Sequence, residues 1–175
     1  MGLGFRVSNL LFRRYTHGTP FRRAWEEGLL RKDRSMHVGV RASIYSKEDL
    51  KDDEEFGFKI IRAEEFDEVG GAKAIAKRIL ERVGDAPMYI SVDIDVLDPA
   101  FAPGTGTPEA GGLTSRELLN CIRLLHAANV VGGDVMEVSP SYDHGEVTSM
   151  AASAVCYEIL CLFALGSQST SKSVK

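Results

Sequence analysis

Cysteine is scarce in this sequence: Cys121, Cys156 and Cys161 are the three among 175 residues, an odd number without the paired spacing of a zinc site or a redox motif. That excludes a disulfide framework and a thiolate metal centre. It predicts free thiols, buried in apolar helical stretches of a protein kept in a reducing compartment. No apolar run reads as long enough for a membrane span, and no secretory signal opens the chain. Gly2 is no myristoylation site, because Arg6 stands where Ser or Thr is required. Excess positive charge is missing too: 21 Lys and Arg against 25 Asp and Glu leave a net charge of −4. This argues against a general nucleic-acid binder and tolerates a cationic substrate or a metal ion. No internal repeat and no linker divides the chain, so its length fits one α/β domain that buries roughly 70% of its extended surface.

What is present alternates. Short runs rich in β-branched residues recur at SMHVGVR (35–41), FKIIR (58–62), MYISVD (88–93) and VVGGDVMEV (130–138), and each reads as a buried strand. Helical patterns separate them. Ala72, Ile75, Ala76, Ile79 and Val83 line one face of a helix. Thr114 and Glu117 form a capping box ahead of Leu118, Ile122 and Leu125. Residues 146–164 are apolar nearly all round, the pattern of a buried helix, with Glu146 in its first turn. A polar tail, 166–175, reads as disordered. Strands returned by helices imply a three-layer α/β/α fold with a mostly parallel sheet covered on both faces, and such sheets bind ligands beyond the carboxyl ends of their strands.

Three carboxylates fall at those ends. Asp93 and Asp95 are two residues apart, a spacing that in extended backbone sends both side chains to one face. Two convergent carboxylates repel unless a cation sits between them, and hard oxygen ligands suit Mn²⁺ or Mg²⁺; the competing reading is that they cap turns. Asp98, before Pro99, reads as turn chemistry. Glu137 follows an apolar strand and is costly to bury without a partner. Asp134 lies within that strand and reads as bonded to a neighbouring loop. His17 precedes a Gly-Thr-Pro turn into a helix, where a lone histidine is more often structural. His37, His126 and His144 sit in a strand, a helix and a loop with no common metal spacing.

With these residues in place, SVDIDVLDPAFAPGTGTPEAGG strongly resembles the signature of the ureohydrolases, the arginase and agmatinase family, and GDVMEVSP resembles that family's second motif in the right order. YTHGTPFRRAWEEGLL and HVGVRASIYS resemble the agmatinase branch. The resemblance covers residues 15–165 as the C-terminal portion of a ureohydrolase domain, leaves 1–14 unassigned, and implies an arginase-like fold. It implies two Mn²⁺ ions in the full site, with Asp93 bridging them and Asp95 binding one. It makes Glu137 the carboxylate that holds the substrate's guanidinium, and His17 the proton-shuttling histidine.

The implied partner is a small cationic guanidino compound, agmatine giving putrescine and urea. Arginases resemble one another in a Ser-Gly-Asn segment ahead of that histidine, where this chain has Arg13, Arg14, Tyr15 and Thr16. Guanidinobutyrate is the rival, if Arg22 or Arg23 meets its carboxylate. The resemblance also implies a homo-oligomer, a trimer or hexamer, with no nucleic-acid or membrane partner. The cytoplasm is the expected compartment; the Arg-rich, acid-free MGLGFRVSNLLFRR makes the mitochondrion the alternative.

The family's other metal ligands, a Gly-Gly-Asp-His segment and an Asp-x-His-x-Asp cluster, come earlier in its sequences and are not in this chain. The first strands of the sheet are therefore expected to be missing. Two readings follow: the C-terminal part of an agmatinase-like hydrolase, or a short, catalytically dead interaction module. The first is favoured because Asp93, Asp95, Glu137 and His17 are all retained.

Overall fold

The computed structural model describes residues 15–41 and 54–172, with side chains through 166. In order, these carry α1 (Pro20–Glu26), β1 (Ser35–Val40), β2 (Phe58–Arg62), α2 (Glu65–Glu68), α3 (Gly71–Val83), β3 (Pro87–Asp93), α4 (Ser115–Arg123), β4 (Asn129–Met136) and α5 (Val147–Lys172). Single 3₁₀ turns lie at Ile94–Val96 and Pro140–Tyr142. All four expected strands form, and both pairings are parallel: β1 with β2, and β3 with β4. The segment 1–14 and residues 173–175 of the expected tail lie outside the described residues.

Helices pack where their apolar stripes point. α3 buries Ile75, Ala76 and Val83, and its partly buried Ala72 and Ile79 complete the predicted face. It leans on α4, which leans on α5, which covers β4. α4 begins as expected: Thr114 accepts from the Glu117 amide at 3.2 Å while the Glu117 carboxylate accepts from the Thr114 amide at 2.7 Å, satisfying amides a helix start leaves open. Two adjacent glycines in β4 set the layer spacing. A Cβ on Gly133 would stand 3.0 Å from the Ile159 side chain of α5, and one on Gly132 would stand 2.6 Å from the Tyr89 ring on the opposite face. Arg82, at the end of α3, donates to the carbonyls of Ser35, Gly57 and Lys32 and ties this half to the first strand pair.

The long helix departs from its sequence reading in four ways. Only one side is buried, through Ala152, Val155, Ile159 and Leu162, while Tyr157 and Leu160 are 66% and 60% exposed. Its all-round apolarity therefore marks an outer face, not a wholly enclosed helix. Val147–Gly166 is also long and apolar enough, by length and composition, to cross a membrane, its small residues and one charge, Glu158, interrupting the run of large apolar side chains. The helix runs on to Lys172, past the start of the expected disordered tail. Finally, Glu146 has φ +60° and precedes the first turn. The helix start is instead held by Asp143, which accepts from the amides of Thr148 and Ser149 at 3.0 and 2.9 Å. Those two amides hold the Asp143 carboxyl down at about 2.

The thiols divide accordingly. Cys121 is buried, Cys161 half-buried and Cys156 exposed, so the expectation of three buried thiols holds for one. Burial pushes the Cys121 thiol up to about 11. Since the thiolate is the reactive form, labelling the native protein with a maleimide at pH 7.5 should modify Cys156 first and Cys121 only on unfolding. Early modification of Cys121, read by peptide mass, would contradict this packing.

His37 is stacked on Phe58 with ring centroids 4.1 Å apart and meets the edge of Phe21 at 6.4 Å. It is thus a packing residue of β1 and α1. Burial lowers its pKa from 6.5 to about 4, so between those values the unfolded chain takes up a proton that the folded one refuses. Stability must then fall as pH drops through that window, by on the order of 2 kcal/mol. Urea melts at pH 7 and pH 4.5 should show a smaller loss for His37→Phe than for the parent; equal losses would remove His37 as the cause.

Candidate functional site

β3 delivers Asp93 as its last residue, and the chain turns at once into the 3₁₀ turn that carries Asp95. Asp95 thus lies in a 3₁₀ turn and not in extended backbone, so strand alternation does not set its direction, which corrects the expected geometry. The Asp93 carboxylate accepts the Asp95 amide at 3.2 Å. Asp95 is 4% exposed, and one of its oxygens accepts from the Thr107 hydroxyl at 2.9 Å. Burial, with the neighbouring Asp95 charge, raises the Asp93 pKa above the usual carboxylate range. Both causes penalise the ionised form of Asp93, and a cation placed beside it would act in the opposite direction.

Glu137 is the first residue past β4 and has φ +61°, a left-handed backbone uncommon outside glycine and often kept where a side chain must be aimed. Its carboxylate lies over the 105–107 loop: a Cβ on Gly106 would stand 3.7 Å from Glu137 Oε2. Thr105 bridges to Val138 in the same place. One loop therefore lies beside Glu137 at Gly106 and holds Asp95 at Thr107, and Asp93 joins them through its bond to the Asp95 amide. His17 comes from a different element, an exposed position in the turn into α1. Thr19 closes that turn, its hydroxyl accepting from the Thr16 amide at 3.0 Å, and α1 packs on β1 and β2 through Phe21.

Other candidates resolve as scaffolding. Asp98 accepts from the amides of Ala100 and Gly111 at 3.0 and 2.9 Å, and these bonds hold its carboxyl below the usual range, as turn chemistry requires. Asp134 accepts from Tyr89 and Ser91 at 2.8 and 2.6 Å, so its partner is the adjacent strand and not a loop. His126 lies in a turn beyond α4 rather than in a helix. Arg22 and Arg23 both engage Glu26, at 3.3 and 2.6 Å. Arg13 and Arg14 lie outside the described residues. Thr107 and Arg41 were missed by sequence reasoning; an arginine directly after an apolar strand was the available signal for the second.

Asp93, half-buried, and Asp95, buried, fit a divalent ion by donor chemistry, as neighbouring hard oxygen donors of like charge. They fit it only in part. Among the described residues no group of three or more His, Cys, Asp or Glu side chains is assembled to hold a metal ion, and two carboxylates are too few ligands for a pair of ions.

Comparison with known proteins gives a consistent result. The model of the Arginase family matches residues 8–162. The chain is 50% identical over 152 residues to a guanidinopropionase of Pseudomonas aeruginosa, covering 86% of this chain and 47% of that protein. It is 47% identical over 146 residues to putative agmatinase 1 of Schizosaccharomyces pombe, covering 83% of this chain and 37% of that one. The solved structure of proclavaminate amidino hydrolase from Streptomyces clavuligerus superposes with a TM-score of 0.81 at 46% identity, covering 87% of this chain and 50% of that chain. The chain spans about half the length, or less, of the curated relatives it matches.

Proposed function

The chain belongs to the arginase family, and from that premise we propose that it supplies the strand-end carboxylates of an agmatinase-like hydrolase that releases urea from a guanidino-alkyl substrate. The observation that supports this reading is the 105–107 loop, whose Gly106 lies beside the Glu137 carboxylate and whose Thr107 hydroxyl donates to Asp95. Asp93 and Asp95 would hold divalent metal, Mn²⁺ by family resemblance, as part of a ligand set completed outside the described residues. Such ions supply, when bound, Lewis acidity and a water that ionises near neutral pH. Glu137 would pair with the planar guanidinium and orient it, since carboxylates bind such cations through paired, charge-assisted hydrogen bonds. His17 would give a proton to the departing amine, a role to which imidazole is suited.

Agmatine is favoured over guanidinobutyrate because Arg22 and Arg23, the cations considered for a substrate carboxylate, are both engaged by Glu26. The test is a urea assay with agmatine, guanidinobutyrate and arginine in Mn²⁺, run on the chain alone and on the chain co-expressed with the amino-terminal half of the guanidinopropionase. We expect no urea from the chain alone and release, with agmatine preferred, from the pair. Robust turnover by the chain alone would refute the need for further ligands. A properly assembled but inactive pair would favour the interaction-module reading instead.

A further inference from the structure

The carbonyls that follow Asp93 pose an accounting problem. A 3₁₀ turn at a strand end leaves its last carbonyls without partners in regular structure, and buried carbonyls must be paired. Here one side chain reaches the carbonyls of residues 95–97, the Val96 carbonyl also accepting from the Leu113 amide. Arg41, directly after β1, donates from Nη2 to the carbonyls of Asp95 at 2.5 Å, Leu97 at 3.1 Å and Glu109 at 2.7 Å. It also donates from Nη1 to Val96 at 3.4 Å and from Nε to Glu109 at 3.2 Å. We propose that Arg41 is a positioning residue for the metal-binding carboxylates, its guanidinium gathering the 95–97 carbonyls so that the Asp95 side chain is held toward Asp93. The proposal rests on the metal reading given above.

The surroundings are built to admit this guanidinium. Gly39 has φ +82°, and a Cβ there would fall 2.5 Å from Val96 Cγ2, so the tip of β1 lies directly against the turn. Gly112 leaves room on the other side, where a Cβ would stand 2.8 Å from Arg41 Nη2. The turn is stapled to its rim by backbone as well: Leu113 donates to Val96 at 3.0 Å and Asp98 donates to Leu113 at 2.9 Å. Arg41 spans that staple from Asp95 to Glu109. A lysine keeps the charge but has no planar fork of five donors, so it cannot hold these carbonyls together.

Two measurements on the purified chain test this. Amide hydrogen exchange without metal should be faster in Arg41→Lys and Arg41→Gln at Leu97, Asp98 and Leu113, by tenfold or more, with the β3–β4 amides unchanged; a merely structural loss would raise exchange throughout the core. Mn²⁺ binding, followed by paramagnetic broadening, should weaken by roughly tenfold, the lower range for residues that orient metal ligands, and Arg41→Lys should not rescue it. Unchanged local exchange, or Mn²⁺ affinity equal to the parent's in folded variants, overturns the role of Arg41. If the parent chain itself shows no Mn²⁺ binding while local exchange still responds, the metal reading fails, and Arg41 is a loop clamp without a metal-positioning role.

Discussion

Asp95→Asn should abolish divalent-metal binding by the chain while leaving its melting temperature unchanged or raised. The amide is nearly isosteric and can still accept from the Thr107 hydroxyl, which lies 2.9 Å from the carboxylate, so the 105–107 loop keeps its anchor. What disappears is a charge that is 4% exposed and raises the pKa of the neighbouring Asp93, and burying a charge costs stability. The parent should bind Mn²⁺ weakly, with a dissociation constant of roughly 10⁻⁴–10⁻³ M, as expected when few charged ligands are present. The variant should lose about 100-fold or more, beyond the effect of removing an orienting residue. Opposite movements of stability and metal affinity are the signature of a functional carboxylate. A fall in melting temperature with metal affinity intact would make Asp95 a structural cap.

Gly112→Ala should be among the most damaging single-methyl changes in the described residues. The added carbon would crowd the amide nitrogen of Asp98 and stand 2.6 Å from the carbonyl carbon of Leu97 and 2.8 Å from Arg41 Nη2. Two of those neighbours are backbone held by the Leu113 staple, and backbone cannot step aside as a flexible side chain can. Overpacking of this kind costs about 2–3 kcal/mol, or roughly 5–10 °C in melting temperature for a chain of this size. Gly111→Ala makes a useful contrast: no atom lies within 4 Å of its added carbon, but φ is +79°, so its cost is backbone strain without collision. Gly112→Ala should also weaken Mn²⁺ binding, because the displaced turn carries Asp95, whereas Gly111→Ala should not. Equal melting temperatures for Gly112→Ala and the parent in a thermal scan would contradict the packing described for this turn.

The strands and the α4 cap were legible because their signals are local: β-branched runs, and Thr114 with Glu117 three residues on. The strand-end places of Asp93 and Glu137 were legible too, since each closes a short run rich in β-branched residues. What stayed hidden depended on partners distant in sequence. Whether α5 is enclosed is decided by what packs on Tyr157 and Leu160, and its composition alone does not carry that information. The helix cap at Asp143 escaped because its bonds reach to Thr148 and Ser149, past the Glu146 that pattern reading favoured. Arg41 escaped because its acceptors are carbonyls more than fifty positions away in the chain. Carbonyls carry no residue signature.

The most direct test of the central claim, that Asp93 and Asp95 are metal ligands, is anomalous scattering at the manganese edge from crystals of the chain grown in Mn²⁺. A peak should lie between the two carboxylates, at roughly 2.0–2.4 Å from an oxygen of each, and vanish in Asp95→Asn crystals. Well-ordered Asp93 and Asp95 side chains with manganese bound only elsewhere would contradict the account.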